Sequence, residues 1–172
     1  KIRNTARYIL GNLNGFDPDR DMVAYEDMPE LDRWALSRLN ALVERCINSY
    51  EKYEFFGVTA AVHSFCVVDM SNFYLDVIKD RLYCDAENSL SRRSAQTAIY
   101  IILDHLMRLL APLLAFTSNE VWQDMPHDSS ADKRHVMLND MPKVEEAWKL
   151  NAEESVRWAN LMALRDDVNK AL

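Results

Sequence analysis

Glycine and proline are scarce in this 172-residue chain, with three of the first and five of the second. A protein of many short strands and tight turns uses far more of both, so this composition points to long helices. Cysteine is scarce too. Cys46, Cys66 and Cys84 are odd in number, widely spaced and without a Cys-x-x-Cys pair, which argues for free thiols in a reducing cytoplasm rather than a disulfide framework. His63, His105, His127 and His135 fall at no recognised metal-ligand spacing. There is no Gly-rich phosphate loop, no nucleophile elbow and no His-Glu-x-x-His run, so no catalytic or cofactor site is expected within these residues. The one long apolar run, 98–116, could span a bilayer by length alone. Asp104, His105 and Arg108 interrupt it, which makes it a buried core helix and leaves no membrane segment.

Net positive charge is also missing. The formal charge is −7, which argues against a protein that coats nucleic acid nonspecifically. The charge is unevenly placed, however. Residues 1–14 carry Lys1, Arg3 and Arg7 with no acid, whereas residues 17–32 carry seven acids against Arg20 alone. The average hides a basic end and an acidic loop.

Apolar spacing defines the elements. Ile2, Ala6, Ile9, Leu10 and Leu13 form a helical stripe that Gly15 ends. A chain already helical at its first residue, without an initiator Met, reads as a piece of a longer protein. Asp27 and Glu30 have capping-box spacing before a second helix with Leu31, Ala35, Leu39, Leu42, Cys46 and Tyr53 on one stripe. A third helix is expected from about 58 to 81, apolar on most sides through Val68, as in the centre of a bundle. A fourth covers about 94–111 and stops at Pro112. Thr117 and Glu120 repeat the capping spacing before a short fifth helix. Residues 126–142 are polar, with one short extended stretch at HVML. A last helix, about 152–172, has Trp158, Leu161, Leu164, Val168 and Leu172 on one face. The expectation is an all-α bundle of four to five long helices with a small irregular insertion. Residues 1–125 form the core bundle. Residues 126–172 form an irregular segment and a C-terminal helix that packs on the bundle or leaves it.

Little here resembles an enzyme's machinery. Neighbouring acids such as Glu145–Glu146 and Asp166–Asp167 point in different directions on a helix and make a solvated face. Asp69 and Asp76, seven residues apart, share one side of a regular helix. They are read as structural carboxylates paired with Arg or Ser from a neighbour. The basic residues are more informative. Arg3 and Arg7 stand at i, i+4 with Asn4 beside them, opposite the apolar stripe. Lys79 and Arg81 close the third helix, and Arg92–Arg93 open the region of the fourth. Arginine can grip phosphate bidentately, read a base edge or stack on an unpaired base. From composition alone, such a face is more often ordinary solvated surface than an RNA site.

Five stretches, in order, carry a resemblance: KIRNTARYILGNL (1–13), LDRWALSRL (31–39), SNFYLDVIKDRLY (71–83), RRSAQTAIYIILDHLMRLLAPLLAFTSNEVW (92–122) and HVMLNDMP (135–142). Together they resemble the anticodon-binding domain that follows the catalytic core in class Ia aminoacyl-tRNA synthetases, closest to the isoleucyl-tRNA synthetases. The valyl-tRNA synthetases share the Ala-Pro-x-x-x-Phe…Trp pattern and are the competing branch. Two departures are Asn119, where the family usually has an acid, and Arg134-His135-Val136 in place of a Ser-Val-His run. The resemblance implies an α-helical module that docks on the anticodon stem and loop of tRNA. It implies contacts from Arg3, Asn4 and Arg7 on the first helix and from Lys79 and Arg81 at the end of the third. Trp34 is assigned to packing. It further implies a monomeric cytoplasmic parent, an isoleucine–tRNA ligase, with catalytic and editing domains, that uses ATP and a zinc module absent from these residues. The alternative outside this class is a helical protein-interaction module with no RNA role.

Overall fold

A computed structural model describes residues 1–171. Its elements are α1 (Ile2–Asn12), α2 (Glu30–Glu51), α3 (Phe55–Ser64), a π-helical segment (Phe65–Tyr74), α4 (Leu75–Val77), α5 (Lys79–Cys84), α6 (Leu90–Leu110), α7 (Ala115–Asp124) and α8 (Ala152–Ala171). Among the described residues there are no strands. From α3 to α5 the chain is one nearly continuous rod, matching the expected third helix.

Side-chain bonds between elements fix the topology. Asp32 at the start of α2 meets Ser94 at the start of α6, and the Tyr50 hydroxyl near the end of α2 donates to the Leu109 carbonyl near the end of α6 (2.6 Å). Those two helices therefore run the same way. The rod runs oppositely, because Arg38 of α2 bonds Asp69 while Asp32, nearer the helix start, meets Tyr74 and Arg81. Helix α1 parallels the rod, with Thr5 beside Ser71 and Tyr8 donating to the Leu75 carbonyl. The result is an up-down-up-down four-helix bundle. Leu36, Leu39 and Val43 of α2, Val62, Cys66, Met70 and Tyr74 of the rod, Ile99, Ile102, Leu103 and Leu106 of α6, and Ile9 of α1 are buried at its centre. Burial pushes the Cys46 and Cys66 thiols up to about 11, which keeps them protonated and unreactive.

The rod departs from a regular helix in its middle. Over Phe65–Tyr74 the backbone takes wide π turns, and the Ser71 hydroxyl caps the Cys66 carbonyl five residues back at 2.7 Å. Each wide turn uses an extra residue, so seven-residue spacing no longer returns to the same side. Asp69 is buried against Arg38 (2.9 Å), whereas Asp76 faces solvent beside Lys79 (2.6 Å). The shared side expected for the two carboxylates does not exist, although the pairing of Asp69 with an arginine does.

Local signals were less reliable than the apolar stripes. Helix α2 starts behind Pro29 with no side-chain cap, so Asp27 and Glu30 make no capping box. Thr117 lies inside α7, which begins at Ala115. Tyr53, expected on the α2 stripe, falls past the helix in a left-handed turn (φ 58°) and is exposed. HVML forms a 3-10 turn at Val136–Leu138 instead of an extended stretch; the Val136 N–H donates to Asn119 Oδ1, while the Asn139 amide donates back to the His135 carbonyl. On α8 only Trp158 is buried, 5.3 Å from the Trp34 ring centroid, while Leu161, Leu164 and Val168 are exposed. Leu172, placed on the same face by spacing, lies outside the described residues.

The acidic loop is held against the start of α6. Phe16 packs on Tyr100, the Val23 N–H donates to the Thr97 hydroxyl, and Arg93 reaches both Asp21 (3.4 Å) and the Gly15 carbonyl. Gly15 turns the chain with φ 73°, which a side chain would oppose. Hydrogen bonds from Arg20, the Asp17 N–H and the charge of Arg93 hold the Asp21 carboxyl down at about 2. The unfolded carboxyl titrates near ~3.9, so Asp21 contributes stability above about pH 4 that is lost as pH falls through about 2. In denaturant unfolding at stepped pH, Asp21→Asn should flatten this acid limb relative to the parent chain.

Candidate nucleic-acid interface

Helical spacing puts Asn4, Arg7, Tyr8, Gly11 and Asn12 on the outward side of α1, away from buried Ala6 and Ile9. With Tyr83 of α5 they line an open groove of about 490 Å³. A second hollow of about 220 Å³ adjoins it, lined by Lys1, Asn4, Thr5, Tyr8, Ser71, Leu75, Asp76 and Lys79. The two share Asn4 and Tyr8 and form one trough along α1. Lys1, Arg7 and Lys79 border it against a single acid, Asp76, in a chain whose net charge is −7.

The five residues expected to form the site are not equivalent. Arg7 is exposed and has no ion-pair or hydrogen-bond partner among the described residues, and the Asn4 amide is likewise unengaged. Arg3 pairs with Glu120 of α7 at 3.0 Å, with both side chains more than half exposed. Lys79 donates to Asp76 at 2.6 Å; this bond raises the lysine and lowers the carboxyl from their ordinary values. Exposed pairs of this kind contribute little, because water and salt screen them, so a phosphate can compete for either cation.

Arg81 does not belong to the exposed face expected for it. Its guanidinium grips fully buried Asp32 at 2.9 and 2.6 Å, and it also donates to the hydroxyl and carbonyl of Ser91 at 3.0 and 2.6 Å. Asp32 accepts two more bonds, from the Tyr74 hydroxyl at 2.7 Å and the Ser94 hydroxyl at 2.5 Å. The physical reason was available in the spacing. Residues 79 and 81 are two apart on a helix and cannot face the same way. Lys79 points to solvent and Arg81 into the bundle. Arg93 is likewise buried, held by Gln96, Asn88 and Asp21. Trp34 packs between Phe73 and Trp158, as expected of a core residue.

Tyr8, Gly11, Asn12 and Tyr83 line the groove but do not stand out in the sequence. Gly11 and Asn12 could have been found, since they lie four and eight residues from Arg7 and Asn4. Tyr83 could not, because its position depends on the π segment. Among the described residues no three His, Cys, Asp or Glu side chains gather to hold a metal ion, and no helix is long and apolar enough to cross a membrane.

The family model for the anticodon-binding domain of tRNA ligase matches residues 32–172. The chain belongs to this family. Its relatives extend the similarity over α1 as well. An isoleucine–tRNA ligase of Caldanaerobacter subterraneus subsp. tengcongensis is 52% identical over all 172 residues. Isoleucine–tRNA ligases of Syntrophotalea carbinolica and Desulfitobacterium hafniense are 53% and 47% identical over the same span. The chain covers 18% of the length of each of these relatives. Family membership agrees with the all-α architecture expected for an anticodon-binding domain.

The different surroundings of Arg7 and Arg81 give them different weights in folding. Arg7→Ala should change unfolding stability by less than about 0.5 kcal/mol, because the arginine bonds to no other side chain among the described residues. Arg81→Ala leaves the Asp32 carboxylate buried without its counter-ion and should cost about 3–5 kcal/mol in urea unfolding.

Proposed function

We propose that this anticodon-binding domain binds the anticodon stem and loop of tRNA as part of an isoleucine–tRNA ligase. The observation that carries this reading is the identity of 47–53% with isoleucine–tRNA ligases across the whole chain. That breadth favours the isoleucyl over the valyl branch. In this reading the longer protein uses ATP to join isoleucine to tRNA, and works as a cytoplasmic monomer. Catalysis, editing and the zinc module belong to other domains.

The binding face in this reading is the trough along α1. Arg7 is a cation without a partner among the described residues, and Asn4 supplies an amide able to donate and accept at a base edge. Lys79 and Arg3 are reserve cations, each released when a phosphate replaces an exposed carboxylate. Arg81 positions this face instead of touching RNA. Its bond to Asp32 anchors α5 to the start of α2.

The test is RNA binding over a range of salt. Arg7→Glu should weaken binding of a transfer RNA and lower the log–log salt slope by roughly one unit for each phosphate no longer neutralised. It should leave the helical circular dichroism unchanged. Affinity and slope equal to the parent's would overturn the site.

A further inference from the structure

We propose that the groove between Gly11 and Tyr83 holds one unpaired nucleobase of the RNA, stacked on the Tyr83 ring and edged by Asn4, with its phosphate on Arg7. This rests on the tRNA-binding reading and assigns two residues that the reading leaves unused.

Gly11 is the first observation. It is the next-to-last residue of α1, and glycine is among the poorest residues for a helix. Nothing in the fold asks for it. Its backbone φ is not positive, and a Cβ built there meets no atom within 4 Å. Neither a left-handed turn nor a close neighbour explains the missing side chain. Its effect is to keep the floor of the groove open.

Tyr83 is the second. It is 62% exposed, a large aromatic surface left in water. Its ring lines the groove beside Tyr8, whose hydroxyl donates to the Leu75 carbonyl at 3.3 Å. Burial, the neighbouring Tyr83 phenol and the nearby Asp76 carboxylate raise the Tyr8 phenol above its ordinary value, so it stays a neutral donor. An exposed ring on the wall of an open groove offers a face on which an unpaired base can stack.

The chemistry of the lining is the third. Asn4, Arg7, Tyr8, Gly11, Asn12 and Tyr83 include a cation, two amides and two phenols but no carboxylate. The Asn12 amide nitrogen is committed to the Tyr8 carbonyl at 2.8 Å, which leaves its oxygen as an acceptor at the groove. A flat aromatic ligand carrying an anion fits this set, and a nucleotide has both parts. Arg7 is the cation of this lining and the seat of the phosphate.

The experiment titrates the 172-residue chain, at low salt, into a hairpin RNA bearing a fluorescent purine analogue in its unpaired loop. Tyr83→Phe should bind as the parent does. Tyr83→Ala should lose roughly tenfold in affinity together with the stacking-induced change in fluorescence. Gly11→Leu should lose a similar factor while raising Tm by roughly 2 °C, because leucine favours the helix but fills the groove. A residue needed only for folding would move affinity and Tm in the same direction. Binding that weakens with Arg7→Glu but is unchanged in Tyr83→Ala and Gly11→Leu overturns the base slot and leaves the tRNA reading intact. Absence of any hairpin binding by the parent chain overturns both.

Discussion

One carboxylate holds the arrangement together. Asp32 is fully buried at the start of α2 and receives donors from Tyr74 of the rod, Ser94 of α6 and both terminal nitrogens of Arg81. A charge without water is tolerated only when nearly every lone pair has a donor. That requirement ties three helices to one point and permits a single register among them. The apolar core supplies most of the driving force, yet leucine and isoleucine contacts tolerate sliding. The carboxylate does not. Since Arg81 lies in the same short helix as Tyr83, the constraint reaches from the centre of the bundle to the wall of the groove.

The bundle was legible because its evidence is redundant. Each long helix repeats an apolar residue every three or four positions, so one misplaced residue changes little, and α1, α2, α6 and the rod all lie where the stripes put them. Signals resting on one or two residues failed. The pairs Asp27–Glu30 and Thr117–Glu120 have the spacing of caps, but Pro29 and Leu114 occupy those places. HVML has strand-forming composition, yet Asn119 and Asn139 draw its backbone into a turn. On α8 the stripe is real and only Trp158 is buried, because periodicity describes a helix and not its surroundings.

The candidate face was legible only in part, for a related reason. Arg3, Asn4 and Arg7 lie on a regular helix, where spacing does predict a shared face. Lys79 and Arg81 lie beyond the wide turns, where it does not. Their charge looked alike in the sequence, and their settings differ as much as those of two basic residues can: one cation is half exposed beside Asp76, the other grips a buried carboxylate. The acidic total of the chain says little about the trough, since Asp21 is paired with Arg20 and Arg93, and Asp32 with Arg81.

The wide turns between Phe65 and Tyr74 act as an angular offset in the rod. An α-helix advances about 100° per residue, so removing one residue there to restore regular winding would rotate all that follows by about that angle. Arg81 would swing away from Asp32, Tyr83 would leave the groove, and Lys79 would turn toward another neighbour, with no change in net charge. The extra length is therefore part of the address of every residue from Leu75 to Cys84. Substitution can be tolerated along this stretch wherever packing allows, but its residue count is fixed.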